Sequence, residues 1–356
     1  MKIVKARAMR DSVPEYIKEI DAPVIIYGAG LNGRNVCRFI KSRGIRVLAF
    51  VVSDGHSISE KAIEDHPVLF RFELCKYSGY VLILATGDYP FEKETIAGGE
   101  SAFPGCRKIL RLSLGDVVEM EYEYYSNNRE EFEQTYGWLV DNLSKQVMES
   151  YINARIGGDM TSLLEAASPY DYDFSLLLSG KREVYVDCGA YIGSSIELFL
   201  SSAPTCDGFE IFAFEPDSKM VGNLKTIYSD RSVFTIFEKA VYSQAGFINF
   251  NVSGYGNSRI ADSGEFCVET VKIDDVLSSI SPTIIKMDVE GAELEALRGA
   301  EEKLRSIKPR LAICVYHKQE DLITIPQYLK SVNPGYKFLL RHHNKKWISE
   351  LVLYAV

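Results

Sequence analysis

The stretch VDCGAYIGSS, residues 186–195, decides the fold of the second half of this chain. The apolar residues 184–186 predict a buried strand, and Gly189 and Gly193 predict a tight turn that leads into a helix. Asp187 stands where the strand ends. A strand, a glycine turn and a helix in this order form the first unit of a parallel α/β sheet, whose ligands bind at the carboxyl ends of the strands.

A second acid stands at the end of the next apolar run. In FAFEPD, residues 212–217, Glu215 lies 28 positions after Asp187 and is followed by Pro216, which ends the strand. A carboxylate at this place can accept hydrogen bonds from the two hydroxyls of a ribose. An anion at Asp187 is poorly suited to lie beside a pyrophosphate but suits an ammonium or a sulfonium group. The two acids therefore predict S-adenosylmethionine as the cofactor.

The composition is that of an ordinary globular chain, with 356 residues, 46% hydrophobic and 25% charged. A net charge of −9 argues against nucleic acid as a partner, because nucleic-acid binding depends on basic surface. The N-terminus shows no apolar signal-peptide core, and no apolar run is long enough to span a bilayer. The seven scattered cysteines, without a CxxC pair, favour reduced thiols, so we expect a cytoplasmic protein.

Three segments differ in pattern and predict an α/β fold with three parts. Residues 1–116 alternate strand and helix patterns, which predicts a small Rossmann-like domain. Residues 117–180 have apolar positions at helical spacing, which predicts a linker of two or three helices with a break at residues 157–158. Residues 181–356 predict a second α/β domain, with a helix over residues 292–306. Its predicted strands are residues 183–187, 211–215, 233–237, 283–288, 310–316, 336–341 and 350–356.

Another glycine-rich turn lies near the N-terminus. GAGLNG places Gly28, Gly30 and Gly33 between a strand and a helix with the spacing of a dinucleotide fingerprint. The acid expected about twenty residues later is displaced, since Asp54 lies 26 positions after Gly28. The turn either binds NAD(P) or a nucleotide sugar or is only structural. If the turn binds one of these ligands, the alternative function of the protein would be that of an NAD(P)-dependent oxidoreductase or a nucleotide-sugar-modifying enzyme.

Four stretches carry a family resemblance: VDCGAYIGSS, FAFEPD, VKIDDVL at residues 271–277, and IIKMDVEGAELEALRGAEEKL at residues 284–304. Over residues 185–356 the sequence resembles the FkbM-type methyltransferases. The resemblance implies a class I methyltransferase fold with a seven-stranded sheet and S-adenosylmethionine as cofactor. It also implies O-methylation of a sugar hydroxyl in a glycan, a lipid-linked saccharide or a natural product. The general class I pattern has a glycine where Tyr191 stands, so the chain departs from it there.

The resemblance also implies where the cofactor would bind. Asp187 would lie near its amino group, the glycine turn would approach its methionine part, and Glu215 would bind its ribose. A backbone amide at Ala240 would face the adenine. The expected cofactor-binding residues are Asp187, Gly189, Ala190, Gly193, Glu215, Pro216, Ala240 and Asp288.

Three polar residues are candidates for the chemistry. Asp288 and Glu290 follow the fourth strand of the second domain and His317 follows the fifth, so all three are expected at one edge of the sheet. Methyl transfer is an in-line displacement that needs alignment and removal of a hydroxyl proton, and a histidine titrates in a useful range for that. Alternatively, Asp288 and Glu290 hold Mg²⁺, or Glu290 only caps the following helix.

Further expectations concern loops and partners. Asn257, Ser258 and Arg259 would reach the acceptor or its phosphate, or else the glycines of their loop indicate only mobility. His342 and His343 would lie in an exposed hairpin turn. The acceptor would be a saccharide or another small molecule that carries a hydroxyl, and two sheets with exposed edges suggest a homodimer.

Overall fold

The computed structural model describes residues 1–3, 9–56, 60–112, 120–158, 160–203, 208–228, 233–251, 259–260 and 266–356. Asn257 and Ser258 lie outside these ranges, as does the side chain of Arg259. The helices are α1 (Met9–Glu19), α2 (Leu31–Ser42), α3 (Tyr89–Gly98), α4 (Tyr122–Asn127), α5 (Arg129–Trp138), α6 (Asn142–Gly157), α7 (Thr161–Glu165), α8 (Ser194–Ser202), α9 (Ser218–Tyr228), α10 (Ile273–Val276), α11 (Glu293–Arg298), α12 (Glu301–Ser306) and α13 (Asp321–Val332). Within the described ranges, no helix has the length and apolar character needed to cross a membrane.

The strands form three sheets. They are β1 (Val24–Tyr27), β2 (Val47–Val52), β3 (Ala62–Ile63), β4 (His66–Phe70), β5 (Tyr80–Leu84), β6 (Cys106–Arg111), β7 (Glu183–Cys188), β8 (Phe209–Phe214), β9 (Phe234–Phe237), β10 (Ala240–Val241), β11 (Gly246–Asn251), β12 (Arg259–Ile260), β13 (Phe266–Val271), β14 (Ile284–Met287), β15 (Arg310–Cys314), β16 (Phe338–His342) and β17 (Leu351–Ala355). The smallest of the sheets has the order β10-β13-β11-β12.

The N-terminal sheet has six strands in the order β3-β4-β2-β1-β5-β6. Five of its strands run parallel, namely β4, β2, β1, β5 and β6, and β3 makes an antiparallel pair with β4. The central strand β1 buries all four of its residues, and these alternate between two apolar clusters. Burial on both faces is typical of a parallel sheet. The Rossmann-like fold predicted for this part of the chain is therefore present.

The C-terminal sheet has seven strands in the order β16-β17-β15-β14-β7-β8-β9. Strand β17 runs antiparallel to both of its neighbours, and the other strands are parallel. The chain enters this sheet at β7, then adds β8 and β9 on one side and β14 and β15 on the other. The order of the strands therefore reverses at β7, which is where open α/β sheets bind their ligands.

Helix α6 covers the outer strand of this sheet. Its Ser144 hydroxyl accepts the N–H of Leu340 at 2.9 Å, and Asp141 just before the helix pairs with Arg341 at 2.7 Å. The segment predicted as a linker of two or three helices contains four, α4 to α7, of which α6 is the longest with 16 residues. The apolar residues of this segment share one core with the seven-stranded sheet. These helices therefore help to build the C-terminal half.

The sequence located the strands of the seven-stranded sheet to within two residues, but it missed β10 and β12 and joined two helices into one. The helix predicted over residues 292–306 is divided into α11 and α12. The carboxylate of Asp274 accepts the backbone N–H groups of Glu302 and Lys303 and thereby begins α12 as a separate helix. At Gly299, between the two helices, a Cβ would lie 2.0 Å from the carbonyl oxygen of Tyr242, so the chain passes very close to its neighbour there.

Candidate active site

A cavity of about 280 Å³ opens at the carboxyl edge of the seven-stranded sheet. It lies beside the turn that follows β7, where the strand order reverses. Its walls come from that turn, from the end of β14, from the segment before β7 and from the hairpin between β16 and β17. The lining residues are Asp171, Tyr172, Gly189, Ala190, Tyr191, Ser194, Ser195, Lys286, Asp288, Asn344, Trp347 and Glu350. A cavity at this edge is the default ligand site of such a sheet.

The backbone of the turn after β7 requires glycine at residue 189. Gly189 has φ +81°, and a Cβ there would lie 1.9 Å from the carbonyl oxygen of Asp288. Gly193 also has a positive φ and begins helix α8. Tyr191 has φ 47°, a region that favours glycine. Its departure from the class I pattern therefore leaves the shape of the turn intact and adds an aromatic ring, 38% exposed, to the cavity wall.

Glu215 lies just after β8 and is buried. Its Oε2 accepts the N–H of Tyr191 at 2.8 Å, and its Oε1 accepts the N–H of Asp217 at 2.9 Å. Burial raises the pKa of this carboxyl group above its ordinary value. A carboxylate can accept about four hydrogen bonds, so each oxygen keeps capacity for a further donor. Asp217 is engaged elsewhere, because its side chain accepts the N–H of Lys219 at the start of α9.

Five of the predicted cofactor-binding residues are not among those that line the cavity: Asp187, Gly193, Glu215, Pro216 and Ala240. Glu215 is next to the cavity through its bond to Tyr191, which lines it. Pro216 connects Glu215 to the start of α9. Ala240 begins the short strand β10 and pairs with Thr270 of β13. Their roles beside a cofactor stay predictions.

Asp187 lies beneath the cavity. It is fully buried and forms an ion pair with Lys286 at 3.1 Å. Its other oxygen accepts the hydroxyls of Ser195 at 2.5 Å and Tyr185 at 2.9 Å. Burial alone would lower the pKa of Lys286, but the neighbouring carboxylates raise it above its ordinary value. Lys286 and Ser195 line the cavity, so Asp187 would act on a ligand indirectly, through these two side chains.

Asp288 lines the cavity at the end of β14. Its two oxygens accept the hydroxyls of Tyr172 at 3.2 Å and Tyr316 at 3.3 Å. Burial would raise the pKa of this carboxyl group, but the positive charges of Lys286 and His317 outweigh burial and lower it. Asp288 is therefore ionised at neutral pH.

His317 meets the other two predicted catalytic residues. Its Nε2 lies 3.6 Å from Asp288 Oδ1 and 3.6 Å from Glu290 Oε2, and its Nδ1 lies 3.0 Å from Glu293 Oε1. Burial would lower the pKa of His317, but Glu293, Asp288 and Glu290 raise it to about 10. The imidazole is thus protonated at neutral pH. In this arrangement it is a cation held among carboxylates, which does not suit the predicted role of a general base.

Glu293 caps the helix that follows β14, which is the alternative role predicted for Glu290. Its carboxylate accepts the N–H groups of Val289 and Gly291 and so caps α11. Glu293 also replaces Glu290 in the group that could hold a metal ion, since ligand atoms of Asp288, Glu293 and His317 lie within 4.8 Å of one another. The protonated imidazole already supplies a positive charge to these carboxylates. An acid in the first turn of a helix was the signal that could have identified Glu293.

The hairpin between β16 and β17 contributes cavity residues that the sequence did not single out. Asn344, Trp347 and Glu350 line the cavity from this hairpin. The sequence feature that could have indicated these residues is the polar stretch between two apolar strands. Burial and the nearby charge of Asp288 raise the pKa of Glu350 to about 7.

The prediction that His342 and His343 lie in an exposed turn is wrong, because both are buried. Strand β16 extends through His342, and the ring of His343 is held between the carbonyl oxygen of Tyr170 at 2.5 Å and the Tyr354 hydroxyl at 2.8 Å. Burial lowers the pKa of each histidine to about 4. Both rings are therefore neutral parts of the structure.

The N-terminal glycine turn is shaped by close packing of the backbone. A Cβ on Gly28 would lie 2.6 Å from the carbonyl oxygen of Ala85, and one on Gly33 would lie 1.9 Å from the carbonyl oxygen of Gly28. At Gly30, by contrast, a Cβ would have no atom within 4 Å. Two of the three fingerprint glycines are thus explained by packing alone.

Asp54 has a hydrogen-bond partner within the chain. It lies in the loop after β2, is exposed, and its Oδ1 accepts the N–H of Phe72 at 3.1 Å. That bond helps to begin the 3₁₀ helix Arg71–Lys76. The end of β2 lies next to the glycine turn, since Val51 accepts the N–H of Gly28 at 2.9 Å, and the nucleotide site stays a prediction.

The C-terminal half of the chain is similar in sequence to known proteins. Residues 187–338 match the model of the methyltransferase FkbM domain. The hexuronic acid methyltransferase AglP of Haloferax volcanii is 30% identical over 142 residues, which are 37% of this chain and 56% of that protein. The chain thus spans little more than half the length of this curated relative.

A solved structure extends the fold comparison to nearly the whole chain. The crystal structure of methyltransferase FkbM from Methylobacillus flagellatus KT superposes with a TM-score of 0.75. The alignment covers 97% of this chain and 93% of that one, at 22% sequence identity. At this level of identity the likeness concerns the fold, and it includes both α/β sheets.

These findings define the class of the C-terminal domain: residues 187–338 are a methyltransferase domain. In particular, they match the FkbM methyltransferase domain. The predicted family resemblance and fold class are confirmed. The alternative of an oxidoreductase or nucleotide-sugar-modifying enzyme is not favoured, because the matching family model and the curated relative are both methyltransferases.

Proposed function

We propose that this protein transfers a methyl group from S-adenosylmethionine to a hydroxyl group of a sugar. The observation that carries the proposal is the buried Glu215 carboxylate beside a glycine turn and an open cavity. Support for a sugar comes from the curated relative, whose name describes a hexuronic acid methyltransferase. Glycan, lipid-linked saccharide and natural-product acceptors belong to the proposal, as does a role in polysaccharide biosynthesis.

The cofactor would bind along the turn after β7. Glu215 would accept the two ribose hydroxyls, because each of its oxygens is already oriented by one backbone N–H. The turn from Gly189 to Ser194 would border the methionine part, whose carboxylate suits the N-terminus of α8. Ala240 would lie on the adenine side. Bound there, the cofactor supplies a sulfonium-activated methyl group.

The chain's own residues would align the acceptor and receive its proton. Of the predicted catalytic residues, Asp288 lines the cavity, and its lowered pKa keeps it ionised at neutral pH. As a weak base, it would accept a hydrogen bond from the sugar hydroxyl and take the proton as the bond to the methyl group forms, when the oxygen becomes strongly acidic. His317 and Glu290 would act indirectly, since the protonated imidazole holds both carboxylates in place. The proposal includes no metal ion, because displacement at a sulfonium needs none, and no NAD(P), because methyl transfer moves no hydride.

The cysteines support a cellular location. The six cysteines in the described ranges are free thiols. Reduced thiols fit a reducing compartment. We therefore propose that the protein acts in the cytoplasm.

The direct test is mass spectrometry of glycosides and glycan extracts incubated with the full-length protein and S-adenosylmethionine that carries a deuterated methyl group. The proposal predicts sugars that gain one deuterated methyl group. Asp288→Asn should lower the rate by about a hundredfold or more, as expected when a proton acceptor is lost, with the affinity for S-adenosylhomocysteine little changed. Stabilisation by NAD or NADP in a thermal melt, without stabilisation by S-adenosylhomocysteine, would contradict the proposal.

A further inference from the structure

The cavity has two ends of different chemistry. Gly189, Ala190 and Ser194 form one end with mostly backbone and small side chains, beside the turn where the cofactor is proposed to bind. The other end carries larger side chains from two separate segments, the residues before β7 and the hairpin between β16 and β17, which β15 and β14 separate from β7 in the sheet. This acceptor end consists of Asp171, Asn344, Trp347 and Glu350.

We propose that the acceptor end binds an uncharged sugar ring, stacked on Trp347, and disfavours a sugar that carries a carboxylate. The inference rests on the proposed function, and it narrows the class of acceptor. It depends on the charges around the acceptor end, on the exposed ring of Trp347 and on the bonds that hold the hairpin.

The charges around the acceptor end are mostly negative. Asp171, Asp288 and Glu350 bring three carboxyl groups to the cavity wall, and Lys286 is the one basic residue among the lining residues. Its charge is already committed, because it pairs with the buried Asp187 at 3.1 Å. A carboxylate on the acceptor would meet like charges without an available cation, which is unfavourable at such short range. Neutral hydroxyls, in contrast, can donate hydrogen bonds to these carboxylates.

Two of the neighbouring basic residues are also engaged. Lys346 precedes Trp347 in the hairpin, and its ammonium group lies 3.1 Å from Asp88 of the N-terminal half. Arg341 is paired with Asp141 at 2.7 Å. Lys345 is exposed on the same hairpin. None of these three residues is among those that line the cavity, so among the described residues Lys286 is the one basic residue that an acceptor would meet on the cavity wall.

Trp347 provides the flat surface. It lines the cavity and is 52% exposed, so its ring is accessible to a ligand. A pyranose ring presents a face of C–H groups that packs well on an aromatic ring, while its hydroxyls point outward to polar neighbours. Such a pairing suits a cavity wall on which an exposed tryptophan ring lies among carboxyl groups.

The hairpin holds this ring in a defined place. The Oδ1 of Asn344 accepts the backbone N–H groups of Lys346 and Trp347, both at 2.8 Å. The carbonyl oxygen of Lys346 accepts the N–H of Tyr89, from the start of α3, at 3.3 Å. Contacts from both halves of the chain therefore orient the hairpin. A platform oriented before binding loses less entropy when the sugar binds.

The experiment compares pairs of methyl glycosides that differ only at C6, such as glucoside and glucuronoside, galactoside and galacturonoside, and mannoside and mannuronoside. At pH 8 Glu350 is ionised, since its pKa is about 7. Methyl transfer from labelled S-adenosylmethionine to each glycoside by the full-length protein is measured by mass spectrometry. We expect the neutral member of a productive pair to have a kcat/KM at least tenfold higher. Preference for the uronoside would overturn the proposal.

Variants separate the aromatic contribution from the electrostatic one. Trp347→Ala should raise KM for the neutral glycoside about tenfold, and Trp347→Phe should restore most of the loss. The Asp171→Asn, Glu350→Gln double variant should narrow the gap between neutral and charged glycosides. Equal KM values for the wild type and Trp347→Ala would contradict stacking on Trp347.

A binding measurement distinguishes failure of this inference from failure of the proposed function. The chain has two tryptophans, so a Trp138→Phe variant leaves Trp347 as the fluorescent reporter. With S-adenosylhomocysteine bound, neutral glycosides should change its fluorescence, and glucuronosides should do so weakly. If S-adenosylhomocysteine binds but none of the neutral glycosides changes the fluorescence, the acceptor assignment is wrong and the cofactor site stands. If S-adenosylhomocysteine itself fails to bind, the proposed function is wrong.

Discussion

The two glycine turns of this chain are alike in sequence and differ in what surrounds them. Each follows a buried parallel strand, and a carbonyl oxygen lies close to where a Cβ of residue 28 or residue 189 would be, at 2.6 and 1.9 Å. At the N-terminal turn the nearby loop is closed by internal bonds. Glu92 there is fully buried, accepts the N–H of Thr86 at 2.8 Å and pairs with Arg111 at 2.6 Å.

At the second turn, two acidic groups line an open cavity and a third is buried next to it. Glu215 is held by two backbone N–H groups and keeps capacity for further donors, while Asp288 and Glu350 line the cavity. The spacing of glycines in a turn therefore indicates how closely its backbone segments pack. A ligand site is indicated instead by neighbouring acids that keep hydrogen-bonding capacity for a ligand. Each half also contains a buried pair of a basic side chain with a fully buried carboxylate, Arg111 with Glu92 and Lys286 with Asp187, and these two pairs allow a matched test.

The largest expected effect comes from breaking these ion pairs. Lys286→Met leaves the Asp187 carboxylate buried without its cation, which should lower the free energy of unfolding by about 3–5 kcal/mol. Arg111→Met should cost a similar amount for the same reason, because Glu92 is equally buried. Urea denaturation measures both. Of the two variants, only Lys286→Met should also weaken binding of S-adenosylhomocysteine, since Lys286 lines the cavity.

The control is the double variant Asp187→Asn, Lys286→Met, which removes both charges. It should recover part of the stability lost in Lys286→Met, because a neutral amide is less costly to bury than an unpaired carboxylate. If Lys286→Met and the double variant have the same stability, or if Lys286→Met matches the wild type, the buried ion pair is assigned incorrectly.

The next effect tests the glycines. Gly189→Ala places a Cβ against the carbonyl oxygen of Asp288 in a left-handed conformation, and it should destabilise the protein by about 2–4 kcal/mol. Gly30→Ala is the matched change at the other turn, where a Cβ meets open space, and its effect should stay within about 0.5 kcal/mol. Thermal melts and urea titrations of both variants measure the difference. Equal effects would show that the two positions are not packed as described.

A smaller effect is expected from pH, because His317 has a pKa of about 10 in the folded protein against an ordinary 6.5. The folded state therefore holds this proton more tightly than the unfolded state. Its contribution to stability is fully present below pH 6.5 and is lost as the pH rises from 6.5 through about 10. His317→Gln should remove this contribution, so its stability should approach that of the wild type toward pH 10. A difference that is constant with pH would contradict the protonated state.

Much of the fold could be predicted from the sequence because its central strands are local apolar runs bounded by glycine, proline and acids. Residues 183–187, for example, were predicted as a strand that is observed as Glu183–Cys188. Strands β3 and β4 were missed, since β4 has only partly buried residues and little periodicity. The division between α11 and α12 depends on Asp274, which is far from both helices in sequence.

The candidate site could be predicted in part. Its cofactor side follows from two strand ends, whose acids and glycines have a regular spacing. The acceptor end could not be predicted, because Trp347 and Asp171 are more than 170 positions apart and meet only through folding. The charge state of His317 was also beyond the sequence, since it depends on Glu293 and Asp288 together. Lys286 had no assigned role until its pairing with Asp187 was seen.

The measurement that tests the central claim most directly is titration calorimetry of S-adenosylhomocysteine with the wild type, Glu215→Ala and Asp54→Ala. Loss of two hydrogen bonds to a carboxylate, at about 1.5 kcal/mol each, should weaken binding to Glu215→Ala by roughly a hundredfold. Asp54→Ala should bind as the wild type does, because Asp54 belongs to the other turn and caps a helix there. Equal affinity of Glu215→Ala and the wild type, with both folded, would contradict the assignment of the cofactor to the second turn.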